Sequence, residues 1–507
     1  MRTPRISALA LATTLGIAGC SSGDYIVVTV DARPAVHDVT LLRVTLSNAG
    51  SMRTEDLAVE GATFPASFSI SPEERTGDLG ISIEAYNAAS ELVGRGAAQS
   101  TIESATAAVR IDPTDFVVNT EYAGTQELSN YSIANGLQLA ATQSGTWTAV
   151  YNADCATPCN VFGRRFDPAA WPVSSVVAAG TQGFPVSTAL TTSFSTPAAA
   201  ANGTTTIAVW NHRDSVAATY SIQCRALDEK GAAASNQQLI ATDEFPYLVA
   251  ATPLPTGNFA VVWPGRVTNT FIRAAIVSPA CALIGAVQAV SPNVASVFPN
   301  GAHAAANATN ILYAWRLDGS VRARLARHDG TLVGTADFPV VGKTATEQIE
   351  HVRVAPLGAN FAVFVRWGLI TGTTGPGRID LYRVSSAGTV MGAPVLVTDR
   401  SGSDFGSSEG FGVAPRSDGS MLVVWSACMD KGDGAGCGVF GRMLNANGDP
   451  AGEDFNLATT TTGDQTRPAA VALPDGAFAA AWSDKSGAAP DMSETAVRAR
   501  IVYPAAQ

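Results

Sequence analysis

GVFGRMLNANGDPAGEDFNLATTTTGDQTRPAAVALPDGAFAAAW, residues 438–482, decides how the chain is read. VFGRML alternates apolar with small or polar residues, as a half-buried strand does, and NANGDPAG after it carries the glycine, asparagine, aspartate and proline of a tight turn. EDFNLA is a second strand, TTTTGDQ a polar loop, and RPAAVAL a third strand. Asp475-Gly476 then marks a hairpin, and a fourth strand ends on Trp482.

The hairpin followed by a large aromatic recurs. SGTWTAVY ends on Tyr151, NGTTTIAVW on Trp210, TGNFAVVW on Trp263, ATNILYAW on Trp315, GANFAVF on Phe364, DGSMLVVW on Trp425 and DGAFAAAW on Trp482. The spacing of about fifty to sixty residues suits one four-stranded sheet per copy, so the repeats predict a seven-bladed β-propeller over residues 114–507. After each aromatic comes a strand that starts on Val or Ile, and in five copies its fourth position is arginine: Arg164, Arg225, Arg324, Arg442 and Arg500. A residue repeated around a ring is expected to hold the ring together, because a site normally breaks symmetry. The last copy stops at VRARIV and lacks the strand that follows elsewhere, whereas DFVVNT, residues 115–120, matches DFNLAT, residues 454–459. The fold expected is therefore all-β, with the ring closed by an N-terminal strand.

The turn, the VVW strand and the G-R-F strand together resemble a repeat of bacterial surface and secreted proteins, a resemblance that reports fold and not activity. Ahead of the repeats, residues 25–113 hold short β-rich runs such as YIVVTVDA, VTLLRVTLS and LGISIEAYN between polar turns. These predict a small antiparallel β-sandwich and resemble the Ig-like or fibronectin-like modules of such proteins, which implies a spacer.

Composition bounds the rest. Charged residues are 15% and hydrophobic ones 46%, with 47 Gly and 27 Pro, as many short strands joined by turns require. The formal net charge of −11, without a basic run beyond the first residues, argues against nucleic acid as a partner. Arg2 and Arg5, an apolar stretch from Ile6 to Ile17, and Ile17-Ala18-Gly19-Cys20 resemble a bacterial lipoprotein signal. The resemblance implies that residues 1–19 are removed, that Cys20 is acylated, and that residues 20–24 tether an exported protein to the cell envelope. By the same analogy Ser21 after the cysteine points to the outer membrane.

Of seven cysteines, removing Cys20 leaves six, and an even number in an exported chain favours disulfides. Cys155 with Cys159, and Cys428 with Cys437, fall at the same place in their repeats and favour local bridges. Cys224 and Cys281 stand in consecutive repeats and are candidates to link neighbouring blades, a connectivity the sequence does not fix.

No catalytic, cofactor or metal residues are assigned. The five histidines, His37, His212, His303, His328 and His351, stand alone without ligand spacing. The carboxylates Asp243, Glu244, Asp399, Asp404, Asp430, Asp433, Asp484 and Asp491 read as solvated loop charge, since DKGDGAG lacks the alternation and terminal glutamate of a calcium loop. Gly406-Ser407-Ser408-Glu409-Gly410 spells a nucleophile motif but lacks the strand before and helix after. Ser417-Asp418-Gly419-Ser420 fails the spacing of an Asp box. The short hairpins and NGDPAG turns share one face of the expected ring. The other gathers the variable loops, 153–160, 211–220, 368–377, 398–410, 426–437 and 483–495, where a protein or glycan ligand is expected. The function expected is binding or scaffolding at the cell surface. The alternative is a propeller glycosidase or lyase acting on extracellular polysaccharide, which needs a set of acids and bases at the ring centre that the sequence does not display.

Overall fold

In the computed structural model the chain divides after Phe116 into two compact units, Met1–Phe116 and Val117–Gln507. The structure describes residues 6–7, 25–118 without 60, 62, 73 and 74, 137–153, 160–173, 183–187, 197–214, 219–242 without 232, 248–266, 270–291, 300–369 without 318, 377–400, 410–428, 432–434, 436–488 and 495–504. No helix occurs among them, and so none among them is long and apolar enough to cross a membrane.

The first unit places its strands in the order Ile6–Ser7, Ala66–Ile70, Ile26–Ala32, Thr106–Pro113, Leu92–Thr101, Asp78–Asn87, Val39–Asn48 and Ser51–Ala58. Period-two patterning builds its core: Ile26, Val28 and Val30 alternate inward and meet Leu42, Val44, Ile81, Ile83, Val109 and Ile111. The pairing departs from the purely antiparallel expectation at one place. Ile26–Ala32 runs parallel to Thr106–Pro113, a pairing a hairpin cannot make, and here it joins strands far apart in sequence.

The second unit consists of seven four-stranded antiparallel sheets. Their innermost strands are Leu137–Ala141, Pro197–Asn202, Ala250–Pro253, Asn300–Ala306, Glu347–Leu357, Phe411–Pro415 and Gln465–Ala472. Each packs against the next, and the seventh against the first, so the sheets are the blades of a seven-bladed β-propeller. Each blade begins with the strand ahead of the hairpin. The stretch 438–482 therefore holds the two outer strands of the sixth blade and the two inner strands of the seventh. Six blades take their four strands in chain order; the seventh sheet takes its outermost strand from Phe116–Val117. The Val118 N–H donates to the Val497 carbonyl at 2.7 Å.

The recurring aromatics fill the seams between blades. Tyr151, Trp210, Trp263, Trp315, Phe364, Trp425 and Trp482 are all fully buried. Trp263 packs with Ile207, Val209 and Ile222 of the blade before it, and Trp482 with Leu422, Val424 and Val439. Each such side chain removes roughly 200 Å² from water, on the order of 5 kcal/mol as an upper bound.

The repeated arginines form a second set of seam contacts. In each of the five, a terminal guanidinium nitrogen donates to a backbone carbonyl at the outer strand of the preceding blade. Arg164 reaches Val118 at 2.5 Å, Arg225 reaches Val186 at 3.0 Å, Arg324 reaches Val290 at 3.0 Å, Arg442 reaches Val397 at 2.7 Å and Arg500 reaches Leu457 at 3.1 Å. Ala275 and Tyr382 take the same place in the third and fifth blades. The arginines thus bridge neighbouring blades through backbone carbonyls that would otherwise need another partner.

Two disulfides are described. Cys224–Cys281 joins the second blade to the third, with Cα atoms 5.7 Å apart, and Cys428–Cys437 closes a loop of the sixth blade, with Cα atoms 3.9 Å apart. Cys155 and Cys159, like Cys20, lie outside the described residues.

Candidate functional site

Because every blade is an antiparallel meander, its first and third turns fall on one face of the ring. Its second loop and the connection to the next blade fall on the other. Much of that second face lies outside the described residues, including Asp243, Glu244, Asp404, Asp430, Asp491 and residues 406–409 of the Gly-Ser motif. What is described there is tightly held. Cys428–Cys437 closes the loop of the sixth blade, and Arg400 donates to the Gly432 carbonyl at 2.9 Å while its guanidinium lies 3.9 Å from the centre of the Phe440 ring. Trp425 Nε1 in turn donates to the Arg400 carbonyl at 2.9 Å. The loop is also joined to the seventh blade, where the Cys437 N–H donates to Asp464 at 3.0 Å.

Asp484 departs from the reading as solvated charge. It is buried, accepts from Gln465 at 3.1 Å and Arg498 Nε at 3.0 Å, and meets the Ser486 hydroxyl, which makes it a link across the seventh blade. Asp399 is exposed. Among the described residues no three His, Cys, Asp or Glu side chains come together to hold a metal.

The centre of the ring shows what spacing along the chain concealed. The innermost strands LQLAA, PAAAAN, AATP and FGVAP carry no ionisable side chain; Asn300–Ala306 carries His303, Glu347–Leu357 carries Glu347, Glu350, His351 and Arg353, and Gln465–Ala472 carries Arg467. Ionisable chemistry is thus concentrated on the fourth and fifth blades, whose innermost strands are neighbours. His303 Nδ1 accepts the Val354 N–H of the next blade at 3.2 Å. Burial, and secondly the charge of Arg353, push its pKa down to about 3, so this imidazole is neutral at ordinary pH. His351 is also held well below the usual histidine range, first by burial and then by Arg366, Arg353 and Arg316.

The three arginines around these histidines are unequally matched. Arg366 is almost wholly buried and lies 3.5 Å from the Glu350 carboxylate. Arg316 donates to the Glu350 carbonyl at 3.5 Å. Arg353 donates to the Val352 carbonyl at 3.0 Å and stacks 5.3 Å from the centre of the Phe411 ring on the sixth blade's innermost strand. Among the described residues no carboxylate pairs with Arg353, and burial lowers its pKa to about 10. Nearer the loop face, Arg378 pairs with both Glu347 and Asp380, the latter at 2.9 Å, beneath the Trp367 ring at 5.0 Å.

Register explains the juxtaposition. Arg353 pairs with Phe364 and Ala302 with Trp315, so His303 lies one step below Arg353 around the ring. The signal in sequence was the strand before each hairpin. GAHAAANATN and EHVRVAPLGAN place His303 and Arg353 where other copies hold uncharged residues, such as Gln138, Ala198 and Gly412 for His303 and Leu137, Pro197 and Phe411 for Arg353. A separate hollow of about 110 Å³ lies between the third and fourth blades, lined by Ile276, Gln288, Val290, Tyr313 and Thr331 among others.

These features define an all-β chain whose larger unit is a seven-bladed β-propeller. No family model matches it, and no curated protein matches it. Solved structures do resemble it in backbone. A protein of unknown function from Dyadobacter fermentans is 12% identical, covering 77% of this chain and 98% of that one at a TM-score of 0.43. The NanB sialidase of Streptococcus pneumoniae is 8% identical, covering 92% and 89% at a TM-score of 0.41. An α-L-arabinofuranosidase of Fusarium graminearum is 10% identical, covering 77% and 98% at a TM-score of 0.37. Likenesses at such identities concern fold alone.

Proposed function

We propose that the chain is a lipid-anchored bacterial cell-surface protein, exported and held at the outer membrane through Cys20. Its propeller binds a protein or glycan ligand on the face that carries the long loops. In this reading the first unit is an Ig-like spacer, and the strand at Phe116–Val117 closes the ring of the propeller. The observation that supports binding is the rigid support beneath the loop face. A disulfide, the Arg400 contacts to Gly432 and Phe440, and the Trp425 bond hold the described part of one loop in place, as a preorganised recognition surface requires.

A glycan array and a pull-down with residues 24–507 test the proposal: retention of a defined ligand that is returned chemically unchanged supports it. The ionisable groups on the fourth and fifth blades keep one rival in view, a glycosidase or lyase acting on extracellular polysaccharide. Release of shortened or unsaturated sugars from a polysaccharide would replace the binding reading with that rival. For the anchor, Cys20→Ala moves the protein from the membrane fraction to the soluble envelope fraction; unchanged membrane association would discard the anchor.

A further inference from the structure

We propose that the innermost strands of the fourth, fifth and sixth blades form an oxyanion site, with Arg353 as the principal donor to a carboxylate or phosphate group of the ligand. This rests on the reading of the propeller as a binding module and adds the chemistry of what it takes.

The first reason is unused hydrogen-bonding capacity. A guanidinium carries a fork of N–H donors that matches carboxylate and phosphate oxygens, and among the described residues Arg353 makes a single donation, to the Val352 carbonyl of its own strand. Its flat face is taken by Phe411 of the next blade, which fixes the plane of the fork. As a residue it is half-buried.

The second reason is charge. Among the described residues Arg366 meets the Glu350 carboxylate while Arg316 and Arg353 meet backbone carbonyls, and both histidines are neutral, so Arg316 and Arg353 bring positive charge into a chain whose formal net charge is −11. Partly buried excess charge is costly unless an opposite charge arrives, and an anion entering from solvent offsets that cost. Phe411, against which Arg353 stacks, and Ala302, at the equivalent place on the fourth blade, bring no competing charge. The Val354 amide is already occupied by His303, which fixes the neighbouring strand edge without supplying positive charge.

The experiment uses the full-length protein and measures titration calorimetry with inorganic phosphate, with D-glucuronate, and with glucose, all at one ionic strength set with sodium chloride. Phosphate, glucuronate or both bind, and glucose does not; whichever anion binds more tightly identifies the oxyanion. Arg353→Gln weakens that binding by roughly tenfold or more, the equivalent of about 1.4 kcal/mol. Glu350→Gln acts in the opposite direction and strengthens it several-fold, because it removes the resident acid that competes for the same field. This opposite sign keeps the proposal testable if Arg353→Gln fails to fold. Absence of binding to both anions, or wild-type affinity in both variants, overturns the proposal. A neutral glycan retained equally by wild type and Arg353→Gln would overturn the oxyanion site while leaving the binding reading intact.

Discussion

Acid should loosen the propeller through His303 before it touches most carboxylates. The folded-state pKa of His303 is about 3 against an ordinary value of 6.5, so between those values the unfolded chain binds a proton that the folded chain does not. Stability from this group is fully present above about pH 6.5 and is lost as pH falls toward 3. From about pH 7.4 to about pH 5 the loss from His303 alone is about 2 kcal/mol, and His351 adds to it in the same direction. The assay is guanidinium unfolding followed by tryptophan fluorescence at a series of pH values. All eight tryptophans lie beyond residue 146, so the signal reports the propeller and not the first unit. His303→Asn supplies the control, because its Oδ1 can accept the Val354 N–H that Nδ1 now takes but does not titrate. The variant is less stable at neutral pH through lost packing, yet its stability falls less steeply between about pH 6.5 and 4. Parallel pH profiles for wild type and His303→Asn would refute the reasoning.

Other expectations follow from the seams. Arg324→Met strands the Val290 and Gly334 carbonyls, 3.0 and 3.3 Å from its nitrogens, and is expected to destabilise the propeller by roughly 1–3 kcal/mol in the same unfolding assay. Cys224→Ser with Cys281→Ser opens a loop of sequence separation 57 and is expected to cost about 4 kcal/mol on a chain-entropy basis; an unchanged denaturation midpoint under reducing and oxidising conditions would contradict this. Gly163→Ala places a Cβ 2.6 Å from the Phe184 ring and is expected to lower the melting temperature by an amount equivalent to about 1–3 kcal/mol. Phe184→Leu in the same chain should restore part of it.

The repeat was legible because its marks are local. A hairpin glycine, an alternating strand and a terminal aromatic sit within a few residues of one another, and these aromatics are all buried. The arginines were legible as structural for the same reason, since each repeats a position and each finds a backbone carbonyl. The centre of the ring was not legible from motifs. His303 and His351 lie about one repeat apart, too far for any ligand spacing, and only the stacking of innermost strands brings them to Arg353. Asp484 misled by position: it ends a strand at the loop face, where a solvated charge is expected, but Arg498 and Gln465 enclose it. The phase of the blades also escaped, because a tandem sequence has no intrinsic first strand.

Hydrogen exchange resolved by mass spectrometry tests the closed ring most directly. If the strand at Phe116–Val117 completes the seventh blade, with Val118 bonded to Val497 and Arg164 bonded to Val118, the peptide bearing residues 114–118 stays protected and exchanges together with the peptide bearing residues 496–502. Exchange of residues 114–118 at the earliest labelling time, while residues 496–502 remain protected, would contradict it.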